Sequence, residues 1–365
     1  MNGGNTDSIT LAVDLAAAWR QQVAEGKVRT EFVLDAARTL EGGPEVVHLE
    51  AVERVRIALE LDADDQPRFV VGRASGQTIR LTPARKELGA GFTVELHPHR
   101  SLRPGADRAQ TPGPWTASTA DVPPEKCPFR CHNAGEPGSL LDRVPLAWVQ
   151  LPHQPWACFP NGSVFDPSFH ALWLPAAMTG LSPSLPHLPQ RLTADLLADL
   201  VALHRAQAGR TVTLFQLLGA GATVGHCHAQ SVAKPHTLPI ELAGVRRAGP
   251  FSALADYPAR GLVFNMKASD VSGCGALWRP IDKLQSKSHP YNLILIRDEA
   301  YLIVRNPEHI IVREWSGVLA GMELCGRAIT HSAAVFDGLT RPQFAAALTK
   351  TTLPADDVLK LLGVP

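Results

Sequence analysis

The chain has 365 residues, 45% of them apolar and 19% charged, so two or three domain-sized units can share a sizeable core. Lys+Arg and Asp+Glu balance at 35 each, which excludes the broad basic field of a nucleic-acid or membrane-surface binder and leaves room for a local anion site. No apolar run approaches the roughly 18 residues of a membrane span, the start MNGGNTDSIT lacks a signal-peptide pattern, and 6 scattered cysteines read as thiols, so a cytoplasmic protein is expected.

Residues 11–40 are expected to be helical, from Leu11, Val13, Leu15 and Ala18 through Phe32, Val33 and Leu34. Residues 52–99 read as strand-rich, and RFVVGRASGQTIRLTP as a hairpin that turns at ASGQ. Residues 99–128, dense in Pro, Gly, Ser and Thr, read as a linker or long loop. WACFP and FHALWLP suit strands. TADLLADLVALHRAQAG (193–209) is the clearest helix, with Thr193 as N-cap and Gly209 at the stop. TVTLFQLLGAGATVGHCHAQSVA reads as strand, glycine-rich turn, strand. YNLILIRDEAYLIVRNPE reads as two strands around RDEA, REWSGVLAGMELCGRAI as a helix, and LTRPQFAAALTKTTLPADDVLKLLG as two short helices. A loose echo of strand, turn, strand and helix links 160–205 with 290–330.

The chemistry concentrates in GAGATVGHCHAQ, residues 219–230. Small residues let backbone N–H groups approach a ligand, and such turns hold phosphate. Placed in a strand, His226, His228 and Gln230 would point to one face. A neutral imidazole whose other nitrogen is hydrogen-bonded can attack phosphorus, and an amide two residues on can donate to a phosphate oxygen. An isolated H-x-H is also compatible with buried structural histidines or with half of a metal site.

HCHAQ resembles the H-x-H-x-Q signature of the transferase branch of the histidine-triad superfamily, which includes galactose-1-phosphate uridylyltransferase, diadenosine tetraphosphate phosphorylase and the GDP-hexose phosphorylases. FPNGSVFDPSFHALWLP (159–175) is similar to the strand–turn–strand of that group, with Asn161, Pro167, His170, Leu172 and Pro175 on the pattern. DYPARGLVF, SHPYNLILIRDEAYLIVRNPE and REWSGVLAGMELC look most like the second half of GDP-hexose phosphorylases, and EGKVRTEFVLD is a weaker echo.

The resemblance implies an α+β fold of two related halves with mainly antiparallel sheets and packed helices. It implies an N-terminal helix and strand-rich region over 1–110, a first half over 111–240 and a degenerate second half with C-terminal helices over 241–365. His228 would be the nucleophile, forming a nucleotidyl-imidazole that phosphate or a sugar phosphate then resolves; His226 and Gln230 would share the catalytic motif. Asn161, His170, Gln216, Gly219, Gly221, Thr223 and Asn292 would bind substrate, a GDP-hexose or other nucleotide sugar, or a dinucleotide. Uridylyl transfer or dinucleoside-polyphosphate phosphorolysis is the alternative, and a silent nucleotide-binding protein is an alternative of another class. Relatives are often homodimers.

No cofactor is expected to be required for such a reaction. Cys127-x3-Cys131-His132 has spacing compatible with zinc, and resembles a uridylyltransferase motif in which His226 would be a further ligand; two reduced structural thiols are the alternative. The usual extra histidine after the next strand is missing from LPAAM. His97, His99, His153 and His187, in polar or Pro-rich surroundings, are expected at the surface, as are Lys283 and Lys287.

Overall fold

The computed structural model describes residues 14–40, 46–102, 123–131, 144–179, 182–267, 272–312 and 317–364. Most of the expected linker and His132 lie outside the described residues. The fold is α+β with mainly antiparallel sheets.

Helix α1 covers only Leu15–Ala24, with Asp14 accepting from the Ala16 and Ala17 N–H groups at its start. Gly26, at φ 64°, ends the expected longer helix, because that left-handed backbone suits glycine. Phe32 and Val33 then fall in strand β1 (Arg29–Val33), where alternation replaces helical spacing. β1 joins β2 (Arg54–Leu61), β3 (Pro67–Arg73) and β4 (Thr78–Leu81) in a four-stranded sheet, and β3 and β4 form the expected hairpin. β5 (Ala84–Gly89) and β6 (Phe92–Leu96) follow, and β6 pairs in parallel with β17 (Arg327–Thr330).

The centre is a ten-stranded sheet. In chain order its first five strands are β7 (Ala147–Gln150), β8 (Pro155–Pro160), β9 (His170–Pro175), β10 (Thr211–Gln216) and β11 (Ala229–Ala233), with α2 (Ala194–Ala206) between β9 and β10. The next five are β12 (Gly244–Ala248), β13 (Phe251–Ala255), β14 (Leu262–Asn265), β15 (Tyr291–Ile296) and β16 (Glu299–Val304), with α3 (Ser272–Ser286) between β14 and β15. Across the sheet the order is β12-β13-β14-β16-β15-β10-β11-β9-β8-β7. The order mirrors itself about the β10–β15 pair, where Gln216 sits opposite Asn292. The matching stretches are thus 147–233 and 244–304, not 160–205 and 290–330.

Both faces of the central strands are covered, which is why YNLILI is apolar throughout. Phe215, Leu293 and Leu295 pack with the α2 and α3 residues Leu200, Leu203 and Ile281, while Leu214, Ile294 and Ile303 pack with Val94, Met322 and Phe344 on the other face. Thr193 caps α2 by accepting from the Leu196 N–H, as expected, and Gly209 adopts φ 69° just beyond its end. The helix expected over 313–329 is instead a turn of helix at Gly321–Leu324 followed by β17, because Gly326 at φ 96° breaks it; residues 313–316 lie outside the described residues. The terminal helices α4 (Arg341–Thr351) and α5 (Ala355–Leu362) are those expected.

Candidate functional site

The turn between β10 and β11 carries the site. β11 begins only at Ala229, so the two histidines lie in the extended approach to the strand rather than within it; His226 forms an isolated bridge with Pro189. Side-chain alternation still holds: Cys227 enters the core beneath the sheet, and burial pushes its thiol up to about 12. His226 and His228, expected to act together, enter different surroundings, although the Phe129 ring meets both edge-on at 5.4 and 5.6 Å.

His228 lines a cavity of about 410 Å³ with Asn161, His170, Gln216, Gly221, Thr223 and Gln230, among others. That volume is in the usual range of small-molecule sites, about 300–1,000 Å³. The Nδ1 atom of His228 lies 2.7 Å from the His226 carbonyl oxygen, so Nδ1 carries the proton and donates it. The lone pair is left on Nε2, and burial lowers the ring's pKa, opposed by that same hydrogen bond, so the ring is neutral at neutral pH. Gln190 holds both peptide groups of His228: its Oε1 accepts from the His228 N–H at 2.8 Å, and its Nε2 donates to the His228 carbonyl at 3.0 Å and to the Gln216 carbonyl at 2.8 Å.

His170 accepts from the Phe165 N–H at Nδ1, and its Nε2 lies 2.9 Å from Asn161 Nδ2 and 3.1 Å from Gln230 Oε1. The oxygen of Gln230 is turned to His170, which leaves its NH₂ group as the end for a ligand. Asn161 accepts from the Ser163 N–H and sets the wall beside His170. In the turn, Gly221 has φ 108°, and a Cβ there would meet Gln216 Oε1 at 2.5 Å. Glycine is required on both counts. Gly219, at φ 81°, shapes the turn without lining the cavity.

Asn292 is fully buried and does not line the cavity, contrary to its expected substrate contact. It braces the turn from behind, donating to the Ala220 carbonyl at 2.7 Å and to Gln216 Oε1 at 3.4 Å. Behind it, Arg305 donates to Asn292 Oδ1 and to the Leu319 carbonyl, and burial lowers its pKa to about 10.

His226 turns its ring away from the cavity. Its Nδ1 lies 3.3 Å from Cys127 Sγ, and Cys131 Sγ lies 3.2 Å from Nδ1 of His187. Donor atoms of Cys127, Cys131, His187 and His226 all fall within 4.8 Å of one another. Neighbouring S and N ligands of a tetrahedral zinc are about 3.5 Å apart, so two thiols and two imidazoles here suit that ion. His226 is fully buried, with Nδ1 turned to the Cys127 sulfur and Nε2 without a hydrogen-bond partner among the described residues, which leaves one nitrogen of the ring unsatisfied. Burial, then the charges of His187 and His228, lowers its pKa to about 3, which keeps it a neutral ligand.

Sequence reasoning missed His187 and Gln190, which lie in a Pro-rich connection with no motif, and the buried state of His97 and His99. His97 donates from Nε2 to Glu95 at 3.2 Å, and His99 from Nε2 to the Val164 carbonyl at 2.8 Å. His153 is 40% exposed at its side chain, and Lys287 is exposed, as expected.

No known protein family and no curated protein matches the sequence. Among solved structures, the chain superposes on yeast Ap4A phosphorylase Apa2 in complex with AMP at a TM-score of 0.50 and 14% identity, over 75% of this chain and 89% of that one. Another structure of Apa2 aligns over 94% and 96% of the two chains at 11% identity and a TM-score of 0.49. The likeness is one of fold: an α+β chain with mainly antiparallel sheets. No helix among the described residues is long and apolar enough to cross a membrane.

Proposed function

We propose that the chain is a nucleotidyltransferase of the phosphorylase type that works through a covalent bond to His228. Nε2 attacks the α-phosphorus of a nucleotide donor; the N–P bond forms while the bond from phosphorus to the bridging oxygen breaks, and the leaving group takes that electron pair. An oxygen of inorganic phosphate or a sugar phosphate then attacks the same phosphorus, and the P–N pair returns to Nε2. The His226 carbonyl supports the positive ring of the intermediate through Nδ1–H. The NH₂ of Gln230 donates to a non-bridging oxygen as charge builds there, and Gly221 and Thr223 bring the turn against the phosphates.

The observation that carries this reading is the orientation of His228: Nδ1–H is held by a carbonyl, and the opposite nitrogen opens on a cavity that also contains Gln230. A dinucleoside polyphosphate is the donor class favoured by the neighbour with the same fold, an Ap4A phosphorylase. A GDP-hexose donor is the second reading, supported by the resemblance of DYPARGLVF and SHPYNLILIRDEAYLIVRNPE to that group. Cys127, Cys131, His187 and His226 would hold zinc, which when bound supplies cross-linking rather than reaction chemistry and fixes the residue whose carbonyl orients His228.

A panel of Ap4A, other dinucleoside polyphosphates and GDP-hexoses, each with inorganic phosphate, tests the reading by product chromatography. Phosphate-dependent conversion of Ap4A to ADP and ATP is expected. Release of GDP and hexose 1-phosphate instead would select the second reading. Tight nucleotide binding without any phosphorolysis would contradict both and leave a silent binding protein.

A further inference from the structure

The N-terminal module contributes Thr30, Phe32 and Arg100 to the cavity wall, although the reaction as described uses none of them. Arg100 is notable for its charge balance. Two guanidinium groups approach the Phe165 ring, Arg100 at 5.5 Å and Arg327 at 5.7 Å from its centre. Arg327 is compensated twice over, by Glu95 at 2.7 and 2.8 Å and by Asp166 at 2.8 Å. Those bonds engage both acids. Arg100 makes one long bond, 3.5 Å, to the Ser163 carbonyl, and no carboxylate among the described residues pairs with it. Glu323, which also lines the cavity, attracts it only from beyond pairing distance, and its Oε2 accepts from the Ala320 N–H. A partly buried guanidinium that faces the cavity, with no carboxylate at pairing distance among the described residues, calls for an anion, and its planar fork suits phosphate.

We propose that Arg100 binds the phosphate beyond the one that reacts at His228: the β-phosphate of the donor in the first step, and the acceptor phosphate in the second. This rests on the nucleotidyl-transfer reading. Phe165 also touches His170, 4.2 Å between ring centres, and His170 in turn contacts Gln230. Two rings, Phe165 and His170, therefore link Arg100 to the amide that serves the reacting phosphate. In-line displacement adds a second reason for a shared subsite. The leaving oxygen departs, and the acceptor oxygen arrives, on the face of phosphorus opposite Nε2, so one cation can serve both.

The test compares Arg100→Met, which keeps the packing on Phe165, with Arg100→Lys, which keeps the charge. Calorimetric affinities are measured for AMP, ADP and ATP and for GMP, GDP and GTP, and KM is measured for inorganic phosphate. The expected result is a loss on the order of 10-fold or more for the di- and triphosphates in Arg100→Met. The monophosphates should change less than about 3-fold, KM for phosphate should rise, and Arg100→Lys should recover part of the loss. Equal losses for mono- and triphosphates, or none, would overturn the assignment even where wild type forms its covalent intermediate. A wild type that binds no nucleotide would overturn the reading of the site and this assignment with it.

Discussion

The two halves of the ten-stranded sheet share an element order yet differ in one connection. In the first half, β10 and β11 are joined by residues 217–228, which hold the phosphate-shaped turn and both histidines of the motif. In the second, β15 and β16 are joined by Arg297 and Asp298 alone. A two-residue turn closes a hairpin and has no backbone to spare for a ligand. The second half instead supplies support: Asn292 lies opposite Gln216 across the central pair, and Arg305 lies behind it. The same scaffold thus yields a half that carries the candidate site and a half that braces it, and the length of one loop separates them.

The largest effect expected on that contrast concerns the four-ligand cluster, built around the first half. Purified protein should carry about one zinc per chain. Cys127→Ser, or chelation, should destabilise it by several kcal/mol, on the order of 5. Hydrogen exchange should show the protection lost around 123–131 and 217–230 rather than in β15 and β16. Metal-free protein with unchanged melting in Cys127→Ser would favour two plain thiols.

Next is the ion cluster that ties the N-terminal module, the first half and β17 together. Burial alone would raise the Glu95 carboxyl, but the His97 hydrogen bond and the Arg327 guanidinium outweigh it and hold the pKa at about 2, against an ordinary 4.5. A lowered carboxyl stabilises the fold above its unfolded pKa and loses that contribution as the pH falls. Stability should therefore drop between pH 4.5 and pH 2 by an amount on the order of 3 kcal/mol from this group. Glu95→Gln should be less stable at pH 7 and should flatten that part of the curve, read by denaturant melts across the range.

Gln190→Ala removes the side chain that holds both peptide groups of His228. A cost of about 2 kcal/mol is expected, together with a fall in turnover of about 10-fold or more that exceeds any change in nucleotide affinity. Full turnover in this variant would mean that the motif is held by its strand alone. The smallest effects contrast the two connections directly. Gly221→Ala should cost about 1–2 kcal/mol and impair nucleotide binding, because of its φ and the Gln216 oxygen. Arg297→Gly, in the short turn at φ 51°, should change stability by less than about 1 kcal/mol and leave binding unchanged.

Local signals in the sequence marked much of this. Thr193, the leucines after it and Gly209 define α2, and RDEA between apolar runs defines the β15–β16 hairpin. The symmetry was hidden because α3 reads poorly: Gly273, Gly275 and Pro280 interrupt its pattern, and packing overrides their low propensity. Of the site, GAGATVGHCHAQ is visible because its chemistry is contiguous in sequence. His187, Gln190 and Arg100 reach it from separate connections, and nothing local to HLPQ or PHRSL signals their destination. The divergent fates of His226 and His228 were also hidden, since both occupy the same parity and only the cysteines separate them.

The central claim is that His228 Nε2 becomes bonded to phosphorus. Intact-mass analysis of wild type and His228→Ala, after incubation with labelled nucleotide donors and no acceptor under mildly alkaline conditions, tests it directly. The expected result is a mass increase of one nucleoside monophosphate in wild type, discharged on adding phosphate and missing in the variant. An unmodified wild type that still turns over donor, or an alanine variant with undiminished turnover, would contradict it.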